Sequence, residues 1–431
     1  MIQLNDWLSI DKVSGRGDAI VTLTATSNEE LEAKIAKIKV STKNIDTRVS
    51  ITQTEYTPSE PINPDTSPYF WVEFEEAGGE ITLEAVYRKM SDGSPFTAGK
   101  YTDIVYSFDG INWSSTVTEI LMGDNTLVYL KNNSGSFNNL SYSNFQTFQY
   151  ERFVFNKRAK IGGNIKSLGG MKSYAYARIF NDNQYITDAS KLLLPNTTLE
   201  TGCYSYMFAG CTNLVSVPQL PATTLANFCY EGMFDGCTNL VNAPLLPATT
   251  LAEGCYSGMF FGCTSLVNAP QLPATTLTDS CYADMFSGCI SLLFPPQLPA
   301  TNLADECYKL MFANCSTLIT APQLPATTLV GECYCAMFFG CTSLEVAPDL
   351  PATHLTYNTN TNGEWGCYRE MFYGCSSLKY VRILAEGFIG RPYTTNWLSG
   401  VSSTGTLVKL SDTYITNGVD GLPYGWSVVN E

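Results

Sequence analysis

Fifteen cysteines are the residues of this 431-residue chain that could do the most chemistry, and all fifteen lie between Cys203 and Cys375. Thiols can pair as disulfides, hold zinc or act as nucleophiles. Fourteen of them sit in seven copies of Cys-Tyr-x-x-Met-Phe-x-x-Cys, starting at Cys203, Cys229, Cys255, Cys281, Cys307, Cys333 and Cys367, and Cys335 is the extra one. If the motif is helical, its two cysteines stand about 12 Å apart along the axis. A disulfide needs Cα atoms about 4.4–6.8 Å apart, so a bridge within a motif is excluded on that reading. Zinc is poorly served, because there is no Cys-x-x-Cys pair and the single histidine is His354. Cys203, Met207 and Cys211 recur at i, i+4 and i+8, the spacing of a buried stripe. The spacing therefore favours free, buried thiols acting as small apolar residues.

No other catalytic constellation is legible. One histidine gives little room for a Ser-His-Asp triad or a Cys-His dyad. No phosphate-cradling glycine loop and no calcium loop is present. Paired carboxylates for glycoside hydrolysis could be drawn from 40 acidic residues, but short-looped repeats are poor cradles for them. The expectation is a non-enzymatic protein without cofactor or metal.

The elements that position these residues are repeats. The first six motifs are spaced by 26 residues, and most are followed by Leu-Pro-Ala-Thr, as at Leu246-Pro247-Ala248-Thr249. A fixed period in the twenties predicts a solenoid, in which each unit buries its apolar side against its neighbours. Ala175-Tyr176-Ala177-Arg178-Ile179-Phe180 aligns with the motif without cysteines and is expected to be an eighth, capping copy. Within one repeat, residues 240–246 read as a short extended piece that Pro244 interrupts and Pro247 follows. Residues 254–262 read as a short helix closed by Gly262. The net charge is −15. From Cys203 to Tyr380 there are twelve Asp or Glu against Lys309, Arg369 and Lys379. Such a surface repels phosphate backbones, so nucleic acid is not an expected partner. No run of about 18 apolar residues predicts a membrane helix. Met1 to Trp7 shows no basic and apolar export pattern.

Residues 1–58 alternate like short strands, around Ile20 to Leu23, Ile35 to Val40 and Val49 to Ile51. Arg16-Gly17-Asp18 spells an integrin-type tripeptide but fills a glycine-rich turn between strands. Residues 59–66 read as a proline-containing linker. In 67–163, Asp109-Gly110 between Ile104-Val105-Tyr106-Ser107-Phe108 and Ile111-Asn112-Trp113 is a hairpin signal. Leu127-Val128-Tyr129-Leu130 and Phe153-Val154-Phe155 read as further strands, and the aromatic richness fits a sandwich core.

Two stretches carry resemblances. Residues 7–15, Val21-Thr22-Leu23-Thr24-Ala25 and Val49-Ser50-Ile51-Thr52-Gln53 resemble the BACON module, an immunoglobulin-like domain of gut Bacteroidetes and their phages. That resemblance implies a glycan association or a spacer role. Met259-Phe260-Phe261-Gly262-Cys263-Thr264-Ser265-Leu266 and its equivalents, over 175–382, resemble the BspA-type leucine-rich repeats. Residues 396–428 resemble the segment that often closes such repeats, and a solenoid end needs covering. The proline-rich extended piece departs from the family and argues against a continuous sheet.

The fold expected is therefore two small all-β, Ig-like sandwich domains followed by an α/β leucine-rich-repeat solenoid of about eight 26-residue repeats with a C-terminal cap. The boundaries expected are 1–58, linker 59–66, 67–163, 164–382 and 383–431. Binding is read from columns that vary on a constant scaffold. The column after Met-Phe offers Phe261, Phe339 and Tyr373 as stacking faces. The column before Leu-Pro offers Gln271, Gln297 and Gln323 as donors and acceptors. An eight-residue insertion in the last repeat offers Tyr357 and Trp365 on a polar loop. The layout resembles surface and virion proteins of gut Bacteroides and their phages. It implies a virion protein assembled in the bacterial cytoplasm, a fibre, decoration or host-surface adhesin, whose partners are a host surface glycan or protein and other virion proteins. A bacterial cell-surface adhesin or glycan-binding protein is the alternative.

Overall fold

The computed structural model describes residues 64–84, 104–114, 119–133, 150–357 and 366–431 (Asp65 and Glu151 by backbone alone), together with backbone strands elsewhere. In 1–58 these strands are an antiparallel sheet of Ile2–Asn5, Leu8–Ile10 and Leu23–Ala25 and a hairpin of Lys34–Ser41 with Asp46–Gln53. The expected Ig-like packing of that segment and the Arg16-Gly17-Asp18 turn lie outside the described residues.

From residue 64 onward two five-stranded sheets face each other. One holds Glu119–Leu121, Glu80–Lys89, Thr147–Phe155, Ser141–Asn144 and Pro95–Phe96, and the other Ile104–Ser107, Leu127–Asn132, Phe70–Phe74, Ala159–Asn164 and Ile186–Leu193. Alternate residues turn inward, so Phe70, Val72 and Phe74 meet Ile81, Leu83, Phe153 and Phe155 in one core. The Asp109 turn holds because its carboxylate accepts from the Ile111 and Asn112 amides, each at 2.8 Å. Those bonds keep its carboxyl well below the usual range.

The last of these strands, Ile186–Leu193, already belongs to the repeat region. It pairs in parallel with Ala159–Asn164 on one side, and Asp188 bridges Ser216 of the next repeat on the other. Phe180, the first ring of the repeat column, packs against Phe70 at 5.7 Å and Phe153 at 6.0 Å. A single apolar core thus runs from Phe70 to Trp426.

The helical part of the expectation is wrong. Among the described residues there is no α-helix, the chain is nearly all β and turn, and an α/β leucine-rich-repeat solenoid is not what this sequence forms. The Cys-to-Cys segments are chains of overlapping turns. In residues 203–211 every second amide bonds three residues back, as Met207 N to Tyr204 O at 3.2 Å, while the alternate amides reach the next repeat, as Phe208 N to Met233 O at 2.9 Å. A left-handed residue returns every fourth position: Gly202, Tyr206 and Gly210, then Phe228, Gly232 and Gly236. A positive φ at that frequency cannot propagate a right-handed helix. It does give a period of four, so Cys, Tyr, Met and Phe still turn inward at i, i+1, i+4 and i+5. Gly262 is left-handed, as a helix cap would be, but it belongs to this series.

Stacked turns put identical side chains above one another. The tyrosines from Tyr176 to Tyr368 form one file at 5.7–6.0 Å between ring centroids. The phenylalanines from Phe180 to Phe372 form another at 5.3–5.7 Å. The extended piece of each repeat makes only isolated parallel bridges, such as Asn242 to Asn268 and Thr224 to Thr250. Prolines remove the donors a ladder needs, as the sequence suggested. Where prolines stop, Tyr380–Ile383, Gly405–Lys409 and Trp426–Asn430 pair as a true parallel sheet. The segment expected as a cap in 383–431 contains a ninth turn ribbon. Phe372 N bonds Trp397 O and Gly374 N bonds Ser399 O, which places Trp397 in the methionine column and Leu398 in the phenylalanine column.

All fifteen cysteines are buried and unpaired. The second thiol of each motif has a defined job: Cys237 Sγ donates to Phe208 O at 3.2 Å, and Cys263 Sγ to Phe234 O at 3.1 Å. Burial pushes the thiols up, Cys281 to about 11 and Cys229, Cys289, Cys367 and Cys375 to about 12. Ionisation is disfavoured in the folded state, so this contribution to stability is full below the ordinary thiol value of 9.0 and declines as pH rises toward 11–12. The expected result is almost no reaction with a thiol reagent in the native protein at pH 8. Fifteen equivalents should react in denaturant without reductant, and stability should fall above pH 9. Fewer than fifteen reactive thiols in the denatured protein would show bridging instead.

Candidate binding surface

The extended pieces form one outward side of the stack. Their residues alternate: Leu220, Ala222, Leu246 and Ala248 point into the core, while Gln219, Pro221, Thr223, Pro247 and Thr249 are exposed. The predicted Gln271, Gln297 and Gln323 stand in one exposed column, and the parallel bridges Asn268 to Phe294 and Thr276 to Asn302 hold the first two in register. Leu245 interrupts that column and is 71% exposed. Beside it runs a row that the sequence reading overlooked: Val215, Val241, Leu293 and Ile319 are all exposed, as are Phe294 and Val346 in the adjoining column. The signal was present, since each follows a buried leucine directly and so must face away from it. Val267 of the same row is half-buried, but exposed apolar side chains recurring in one row, unlike scattered ones, mark a contact surface.

The aromatic candidates lie elsewhere. Phe339 stacks on Tyr373 at 4.8 Å with the rings 3° from parallel, at the exit of two adjacent turn ribbons. Phe261 is exposed in the same column but three repeats away, with Ser287 and Ala313 between them. Tyr357 is 39% exposed and meets Tyr393 edge-on at 5.7 Å, at the entry of the ninth ribbon. The backbone of Trp365 pairs with Asn358, and its side chain lies outside the described residues. The glutamines thus share a surface and Phe339 joins Tyr373, but the eight candidates do not converge on one site.

At the junction of sandwich and repeats a groove of about 530 Å³ is lined by Ser67, Pro68, Leu193, Pro195, Gln219 and Pro221 among others. It continues the exposed side through Gln219 and Pro221. The turn ribbons carry the charge. Lys309 is held by Glu306 at 2.8 Å and by the buried Glu332 at 2.9 Å, and burial raises the carboxyl of Glu231 above its usual range. Among the described residues no three His, Cys, Asp or Glu side chains are grouped to hold a metal. Nor does any helix there have the length and apolarity to cross a membrane.

No family model, curated protein or solved structure matches the chain. The likenesses to BspA-type repeats and to the BACON module therefore rest on the motifs quoted above.

Proposed function

We propose that the chain is a non-enzymatic attachment protein that engages a surface glycan or protein through the exposed side of its repeats. On the likeness of its motifs to gut Bacteroides phage proteins, the setting proposed is a virion, where it serves as a fibre, decoration or adhesin. What carries the reading is the set of exposed apolar residues Val215, Val241, Leu293 and Ile319, a row interrupted only at the half-buried Val267, together with the exposed Gln219, Gln271, Gln297 and Gln323 of the same extended pieces. Apolar and amide groups held at fixed spacing by a packed core lose little entropy on binding, which favours a broad contact. The two β-sheets cover the first repeat, where Phe70 and Phe153 pack on Phe180.

The test is retention of purified protein by intact host cells, with a bovine albumin control. Replacing Leu245 and Phe294 by Ser should lower retention about tenfold without lowering the melting temperature, because both side chains are largely outside the core. Replacing Tyr357 by Ala tests the insertion in parallel. If neither change matters and removal of residues 1–58 abolishes retention, the N-terminal segment is the binder.

A further inference from the structure

The charges of the stack are segregated. Residues 214–227, 240–252, 266–278, 292–304 and 318–331 contain no Asp, Glu, Lys or Arg. Between Cys203 and Cys341 the charged residues are Glu231, Asp235, Glu253, Asp279, Asp284, Asp305, Glu306, Lys309 and Glu332, all in or next to the turn ribbons. In a chain of net charge −15, five consecutive repeats thus present an uncharged side opposite an acidic one. That side is not dry. Gln219, Gln271, Gln297 and Gln323 offer amides, Thr223, Thr249, Thr275, Thr301 and Thr327 offer hydroxyls, and the exposed prolines and Leu245 offer apolar faces.

Resting on the attachment function proposed above, we infer that the occupant of this side is a neutral, repeating glycan lying along the stack axis. Charge decides the class. A carboxylated, sulfated or phosphorylated polymer finds no cation there, and its approach to the acidic molecule is repelled at low salt. A protein partner of ordinary surface composition would leave its own charges unpaired against the same side. A neutral glycan carries the matching groups, hydroxyls for Gln and Thr and C–H faces for Pro and Leu. Periodicity decides the orientation. Where parallel bridges form on this side, as Asn242 to Asn268 and Asn268 to Phe294, adjacent repeats stand about 4.8 Å apart, so the donor and acceptor set recurs there at nearly the spacing of successive sugars in an extended chain. Several weak contacts then add along one polymer.

The experiment uses the full chain and host surface polysaccharide separated by anion exchange into neutral and acidic fractions, with partial hydrolysates of each graded by length. Expected are binding to the neutral fraction that changes less than about twofold from low to high salt and affinity that climbs with oligosaccharide length. Gln271→Glu with Gln297→Glu should weaken binding about tenfold, whereas Glu253→Gln on the ribbon side should leave it unchanged. Binding only to the acidic fraction, to neither fraction, or independently of length would overturn the inference. So would a concentration-dependent dimer dissolved by Leu245→Asp, which would assign this side to a second copy. If cells retain the protein while the glutamine pair has no effect, the glycan inference falls and the attachment function stands. If neither cells nor polysaccharide retain it, both fall.

Discussion

Phe286→Ala should cost about 3–5 kcal/mol, the range for deleting a fully buried phenylalanine. The ring is 0% exposed and stacks on Phe260 and Phe312, each at 5.7 Å. Small neighbours cannot fill the hole, because every residue around it is held in register by bonds to the repeats above and below. The Phe286 amide reaches Met311 O and Phe260 N reaches Met285 O, both at 2.9 Å. Two aromatic contacts are lost as well, each worth about 0.5–1.5 kcal/mol. Whole-protein stabilities are about 5–15 kcal/mol, so one substitution consumes a large share. The damage is also placed to divide the stack. Nearest-neighbour coupling carries cooperativity in repeat arrays, and a weak central layer should split urea unfolding into two transitions. Equilibrium unfolding followed by circular dichroism measures both effects. A single transition shifted by less than about 1 kcal/mol would mean that the phenylalanine file is not a coupled column.

The second large effect is expected from removing residues 1–163. The sequence suggested that residues 175–183, lacking cysteines, would cap the repeats unaided. The structure reverses that expectation. Tyr176, Ile179 and Phe180 are 0% exposed, and Phe180 packs on Phe70 and Phe153 of the sandwich. Phe153 N bonds Ile179 O at 2.9 Å, Tyr150 donates to Asn181 Oδ1 at 3.1 Å, and Arg152 reaches Asp182 at 3.3 Å. Cutting after Gly163 would bare the outer face of Phe180. It would also strip most of Ala159–Asn164 from its partner Ile186–Leu193 and leave an open apolar strand edge. The 164–431 fragment should aggregate or lose cooperative unfolding. A soluble, monomeric fragment with a sharp melting transition would show that the first repeat seals itself.

A good part of the molecule was legible in its sequence. The repeat period, the buried cysteines and methionines, the cysteine-free eighth copy at residues 175–183 and the strand character of residues 67–163 follow from spacing and residue type alone. Pattern shows which side of an element is apolar whatever its hydrogen bonding. Proline spacing likewise argued against a continuous sheet, since a missing donor is a property of the residue itself. Two things were not legible. The Cys-to-Cys segment has helix-compatible residues and a period near four, and nothing local distinguishes a helix from a chain of turns. The choice is made between repeats, where alternate amides find carbonyls one layer away and left-handed residues such as Tyr206, Phe228 and Glu306 are held in place by those bonds. The ninth ribbon was hidden for a related reason. Trp397 and Leu398 stand where Met and Phe usually do, and only Gly400, 26 residues after Gly374, kept the period visible.

By itself, then, the sequence determined the repeat, its inward-facing residues and the absence of charge from 214–227 and its counterparts, because these are properties of residue order. The tertiary structure alone decided that the repeats are turns and that the sandwich and the stack share one core. Each of those outcomes depends on hydrogen bonds and contacts between residues about 26 positions or more apart, which no local preference encodes.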